Sequence, residues 1–160
     1  MKRIIILSGL IFFICLKVLA QTINGTYAIQ NVKTGKNLRP YEAGRQDGNQ
    51  IVLYDHVEWK CMTWDFMNAE GNTYQLKNLL TSKTFEPSGP PKAGCSLEQQ
   101  KLVLDNLAQE WDFIGAGKES YNIRLKGTEL YITVGDASGK TNSAIILQPK
   151  QNSEDRKSVV

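Results

Sequence analysis

The chain repeats itself at a fixed interval. Tyr27, Tyr74 and Tyr121 stand 47 residues apart, and the same step separates Trp64 from Trp111 and Phe66 from Phe113. A period of this size marks one supersecondary unit copied in tandem. Copy one opens on Tyr27-Ala28-Ile29-Gln30-Asn31, an alternating strand, and turns at Lys33-Thr34-Gly35-Lys36; copy two gives Tyr74-Gln75-Leu76-Lys77-Asn78 and turns at Thr81-Ser82-Lys83. Leu38 and Pro40 of the first answer to Phe85 and Pro87 of the second. Short β-rich runs follow at 51–54, 102–105 and 145–148, and the first two copies close on Trp-Asp-Phe. That reading predicts an all-β chain with about four short strands per copy, twelve in all, and no helical period.

A single four-stranded unit of this size has open edges and cannot bury its apolar face alone. Three units around a pseudo-threefold axis close one another's edges and share one core. The repeating Tyr, Ile/Leu and Trp/Phe positions are therefore expected to point inward, with Trp64, Trp111, Phe66 and Phe113 as packing residues. Function is then to be sought where the copies differ.

Residues 1–20 have a basic start, Lys2 and Arg3, an apolar run from Ile4 to Leu16, and Val18-Leu19-Ala20 at the end. The run is too short and broken for a membrane span and reads as a secretory signal cleaved near Ala20. A secreted or periplasmic mature chain without a membrane anchor is the expectation, forming a single domain over 21–160 with repeats at roughly 25–70, 71–117 and 118–160. The whole chain has 19 basic and 16 acidic residues, and three of the basic ones, Lys2, Arg3 and Lys17, leave with the signal. The mature domain is then formally neutral, and no basic stripe points to nucleic acid. Two cysteines stay, Cys61 and Cys95; an oxidising compartment permits a disulfide between them, although the repeat does not pair them.

The Tyr-x-Ile-x-Asn opening, the Thr-Gly-Lys turn, Asp47-Gly48-Asn49 before Ile51-Val52-Leu53-Tyr54, and the Gln109-Glu110-Trp111 closure resemble the ricin B-type lectin family. The resemblance spans roughly residues 25–160 and implies a β-trefoil, a six-stranded barrel capped by three hairpins. It further implies carbohydrate binding by an Asp after the second strand, an aromatic ring at the end of the third, and an Asn and a Gln before the closing Trp. Carried over, those positions are Pro40, Tyr54, Cys61 and Met62 in copy one. In copy two they are Pro87, Asp105, Ala108 and Gln109; in copy three, Val134 with Asp136 close by, Gln148, Asp155 and Arg156. No copy holds the full set.

Copy one has what the others lack. Tyr54-Asp55-His56-Val57-Glu58-Trp59 gathers two aromatics, two carboxylates and the chain's one histidine after the third strand. Trp59 is outside the repeating core positions. It reads either as an exposed ring on which a sugar's apolar face stacks, or as a plug folded back over the barrel end against Met62. Tyr54, Asp55, His56 and Trp59 are the candidate carbohydrate-binding residues, with a secondary polar contribution from Asp47 and Asn49, which also suit a turn. No nucleophile–base pair, oxyanion hole or His/Cys cluster with metal-ligand spacing is legible, so neither catalysis, nor a cofactor, nor a metal is expected. Copy three is the degenerate copy, and its tail near 151–158 is expected to be loosely packed. The partner is a glycan or polysaccharide on the lectin reading. The other reading is a trefoil that binds or inhibits a protein through its loops.

Overall fold

The computed structural model describes residues 22–117, 119–150 and 157–159. The residues read as a signal peptide, and most of the copy-three tail, lie outside that range. The described residues form thirteen strands and three short 3-10 turns. Copy one contains β1 (Gly25–Ala28), β2 (Gln30–Asn31), β3 (Asn37–Pro40), β4 (Asn49–Tyr54) and β5 (Thr63–Glu70). Copy two contains β6 (Thr73–Asn78), β7 (Thr84–Pro87), β8 (Leu97–Gln100) and β9 (Trp111–Gly117). Copy three contains β10 (Ser120–Leu125), β11 (Leu130–Val134), β12 (Ile145–Pro149) and β13 (Lys157–Val159). β1 and β2 are one trefoil strand interrupted at the buried Ile29, which accounts for the thirteenth.

The first and last strands of each copy close a barrel in the order β1-β5-β6-β9-β10-β13-β2. Closure removes the open edges that a lone copy would present. The middle strands form the hairpins β3–β4, β7–β8 and β11–β12, which meet at one end of the barrel. Their junction shows the threefold most directly. The amides of Gly48, Gly94 and Asn142 each donate to a neighbouring hairpin, to the carbonyls of Gln99, Leu147 and Leu53, each at 2.8 Å. All three donors have positive φ, at 77°, 82° and 68°. Glycine takes that conformation freely, and asparagine is among the few residues that tolerate it.

Those contacts correct one alignment. Gly94 occupies the loop position of Gly48, so the third strand of copy two is Leu97–Gln100, and Leu102–Asp105 is not a strand. The aliphatic alternation at 102–104 mimics a strand, but Val103 and Leu104 are exposed loop residues. The aromatic-ring position in copy two is accordingly Gln100 and not Asp105.

The core holds the repeating aromatics. Trp64, Trp111, Phe66 and Phe113 are all buried, as the period predicts. Phe85 packs between the two indoles, at 5.1 Å from Trp64 and 5.0 Å from Trp111. Phe113 touches one ring from each copy: Phe66 at 5.2 Å, Tyr74 at 5.4 Å and Tyr121 at 5.8 Å. The tyrosines are less uniform than the period suggests. Tyr74 is sealed and accepts the Ile23 N–H, and Tyr121 is half-buried. Tyr27 is exposed, packing edge-on against Phe66 and donating its hydroxyl to Asn24 O. The two cysteines are free thiols, contrary to the bridge the sequence permits. Each is buried in its own place: Cys61 in the turn Lys60–Met62, Cys95 in the copy-two hairpin beside Ser88 and Ser96. In copy three, β13 pairs with both β10 and β2, so 157–159 belong to the barrel rather than to a loose tail.

Because Phe113 joins rings from all three copies, Phe113→Ala is expected to cost about 3–5 kcal/mol of stability. Leu107→Ala, at an exposed loop position, should stay within about 0.5 kcal/mol. Equilibrium urea unfolding of the two variants checks the contrast; equal midpoints would contradict a shared core.

Candidate functional site

β3 and β4 pair with Asn37 opposite Tyr54 and Leu38 opposite Leu53. Side chains alternate along a strand and directly opposed residues share a face. Leu38 and Leu53 therefore enter the core, while Asn37, Arg39 and Tyr54 lie on the outer face. In most hairpins that face meets water. Here the segment after β4 folds back across it, so that Asn37 is sealed and Arg39 is only 6% exposed.

The covering segment is held at several points. Asp55 takes the Lys36 ammonium and, at 2.8 Å, the Thr141 hydroxyl, which ties copy one to copy three. These hydrogen bonds, from Lys36 first and Thr141 second, hold the Asp55 carboxyl below its ordinary value of 3.8. Nδ2 of Asn37 and Nδ1 of His56 are 2.9 Å apart. The turn Lys60–Met62 closes with the Met62 amide donating to Trp59 O, and the Cys61 carbonyl accepts from Asn78 Nδ2 at 2.9 Å. Between these anchors Trp59 stacks on Tyr54, ring centroids 6.2 Å apart and planes inclined by 27°. Trp59 keeps half its surface in solvent. Trp59 is thus a half-exposed ring stacked on Tyr54 and not a buried plug, whereas Met62 is buried.

Tyr54, Asp55, His56 and Trp59 are thus brought together. Asp47 and Asn49 are not. Asn49 opens β4 at the end away from Tyr54, five residues or about 16 Å along the strand, and Asp47 precedes it by two residues. Asp47 pairs with Lys83 of copy two, and the buried Asn49 donates to Tyr41 O and Gly44 O. Both fix the hairpin loop.

Arg39 and Asn37 adjoin this cluster, although the sequence does not single them out. The Arg39 guanidinium carbon lies 3.4 Å from the centroid of the Tyr54 ring. Its Nε is sealed without a hydrogen-bond partner, as is Oδ1 of Asn37. A signal for them existed: polar residues at 37 and 39 flank an apolar one on a strand paired with the aromatic position. The family pattern points instead to the neighbouring Pro40, where its Asp would stand.

The other copies do not repeat this arrangement. In copy two the one remaining amide, Gln109, is buried and fully used. It donates to Glu86 Oε2 at 2.7 Å and Lys101 O at 2.9 Å, and accepts from the Val103 amide at 2.8 Å. Copy three has Val134 and Gln148, and its amide positions, Asp155 and Arg156, lie outside the described residues. Among the described residues, no group of three or more His, Cys, Asp and Glu is placed to hold a metal ion.

Residues 60–149 match the model of the family described as ricin-type β-trefoil lectin domain-like. The match begins just after the copy-one platform. Among solved structures, the chain is similar to the designed threefold-symmetric protein ThreeFoil (17% identity, TM-score 0.80, covering 85% of this chain and 97% of that one). It is similar to the Rhizoctonia solani agglutinin (16%, TM-score 0.77, covering 88% and 96%). It is also similar to the Macrolepiota procera ricin B-like lectin, solved in complex with lactose (20%, TM-score 0.72, covering 88% and 97%). No curated protein matches the chain in sequence.

The lowered Asp55 value fixes the sign of a pH effect. A carboxyl whose folded value lies below its unfolded one contributes while ionised, so the Lys36–Asp55 tie is complete above about pH 4 and is lost as pH falls through the folded value. Trp59 is the exposed one of three indoles, the other two being sealed. Acrylamide quenching should therefore stay flat from pH 7 to about 4 and rise below it. Asp55→Asn should be raised already at pH 7 and lack the acid step. A wild-type step near pH 6 would place the control elsewhere.

Proposed function

The chain belongs to the ricin-type β-trefoil lectin-like family, and from that premise we propose that it is a non-catalytic carbohydrate-binding protein with one site, on copy one. The observation that carries the reading is the Tyr54–Trp59 pair, with Tyr54 at the family's ring position and Trp59 half in solvent. A sugar presents an apolar face of C–H groups and a rim of hydroxyls. It needs a rigid ring to stack on and fixed polar groups beside it. Asp55 and His56, both exposed, follow Tyr54 directly; Asp55 is held in position by Lys36 and Thr141, and His56 by Asn37. The remaining family positions in copy one, Pro40, Cys61 and Met62, are buried and offer no such groups. The sugar would thus be held by the folded-back segment rather than by the family's usual set. Export through the signal at 1–20 would deliver such a protein to glycans outside the cytoplasm.

One feature favours a second reading. Val103, Leu104 and Leu107 are 51%, 65% and 60% exposed on the copy-two loop, an apolar tip with no role in the hairpin junction. A trefoil acting through protein contacts would use such a tip.

A glycan array followed by fluorescence titration separates the two. Wild type is expected to bind at least one glycan with a change in Trp emission, and Trp59→Ala to lose at least about tenfold in affinity, in line with the loss of a buried aromatic contact. Asp47→Ala should bind as wild type does. If no glycan binds, or if Trp59→Ala binds unchanged, the lectin reading fails; loss of a protein contact on Leu104→Asp would then favour the second.

A further inference from the structure

Comparison of the copies isolates one residue whose chemistry is left open. Position 39 of copy one corresponds to position 86 of copy two, one 47-residue step on, and position 62 corresponds to 109. In copy two these hold Glu86 and Gln109, joined by a 2.7 Å hydrogen bond from amide to carboxylate. In copy one they hold Arg39 and Met62. A thioether does not satisfy a guanidinium, and no other residue has taken the place of the amide. Among the described residues the Arg39 side chain has neither an ion pair nor a hydrogen bond; its one contact of note is the Tyr54 ring. It is nevertheless more than nine-tenths buried.

An unpaired buried cation is costly, and stacking on an aromatic ring recovers only part of that cost. The ring contact also leaves the hydrogen-bonding capacity untouched. Guanidinium N–H bonds radiate in the plane of the group, whereas the ring covers a face of that plane. Nε is sealed without a partner and no protein group accepts from the terminal nitrogens, so a fork that matches a carboxylate is held in place without a protein acceptor. Close by on the same face, the sealed Oδ1 of Asn37 is an acceptor without a donor. Being sealed, that oxygen is closed to a ligand, so the demand an acidic sugar would meet is a carboxylate for the Arg39 fork.

The nearby charges agree with this. Asp55 is neutralised by Lys36. Glu58 and Lys60 are both exposed and flank Trp59, so the rim of the platform does not repel an anion. Resting on the lectin reading above, we infer that the copy-one site selects a carboxylated saccharide, its ring on the Trp59–Tyr54 platform and its carboxylate on Arg39. Uronic and sialic acids share that chemistry, and the same experiment separates them as sources.

The test is calorimetric titration of the purified protein with matched pairs: oligogalacturonate against its methyl ester, and sialyllactose against lactose. Wild type is expected to prefer at least one acid over its neutral partner by on the order of tenfold to a hundredfold, the range for hydrogen bonds to a charged group. The preference should weaken as salt rises. Arg39→Met should abolish it, and Arg39→Lys should restore only a part, because an ammonium lacks the fork. The pair of sugars that shows the preference identifies the source. The wild-type comparison of acid with neutral sugar needs no variant, so the inference stays open to refutation even if Arg39→Met folds poorly. Equal binding of acid and neutral sugars through Trp59 would overturn the acid assignment and leave the lectin reading in place. An acid preference that survives in Arg39→Met would overturn the assignment to Arg39. Absence of all glycan binding would overturn both.

Discussion

Everything in this fold depends on satisfying strand edges. Each copy brings four short strands whose outer amides and carbonyls have no partner within the copy, and such groups are expensive to bury unpaired. The first and last strands settle the matter by closing a six-membered barrel. The middle strands settle it at the hairpin junction, where Gly48, Gly94 and Asn142 each give an amide to the next copy around. That junction demands a left-handed residue at one place per copy, which explains two glycines and an asparagine where little else would fit. The aromatic core follows from closure, since Phe113 can touch rings of three copies only because the barrel brings them together.

The period was legible in the sequence because burial is cooperative across copies. Trp64 and Trp111 must both be large and apolar, as each fills the same place between barrel and hairpins. Where burial does not constrain a position, the period carries no information, and reading fails there. Leu102-Val103-Leu104 has the composition of a strand, yet it is a loop tip, because register is set by Gly94 and not by apolar content. Tyr27 keeps the period but sits at an exposed end of the barrel. Asp47 and Asn49 look like site residues by composition and neighbourhood, but alternation and strand length put them far from Tyr54.

The site was half legible for a related reason. Tyr54, Asp55, His56 and Trp59 are contiguous enough to be seen as a departure from symmetry. Arg39 and Asn37 come from another strand, and their part becomes visible only once the 55–62 segment is known to fold back over the outer face of β3. No local pattern announces that fold-back. It results from several separate ties, through Lys36, Thr141, Asn37 and Asn78, that reach into all three copies.

The same dependence explains how copy one tolerates a residue such as Arg39. A lone hairpin carrying a largely buried guanidinium without a protein partner would open to hydrate it, since the charge is worth more in water than against one tyrosine ring. Within the trefoil the hairpin cannot open without breaking its junction with its neighbours and the Asp55 anchor to copy three. The cooperative frame therefore supplies the stability that a strained polar arrangement consumes. Glu86 with Gln109 shows what the position looks like when its polar demand is met internally; Arg39 with Met62 leaves that demand unmet, beside the Tyr54–Trp59 pair. Symmetry makes the scaffold rigid, and that rigidity holds the asymmetric copy in a conformation it would not keep alone.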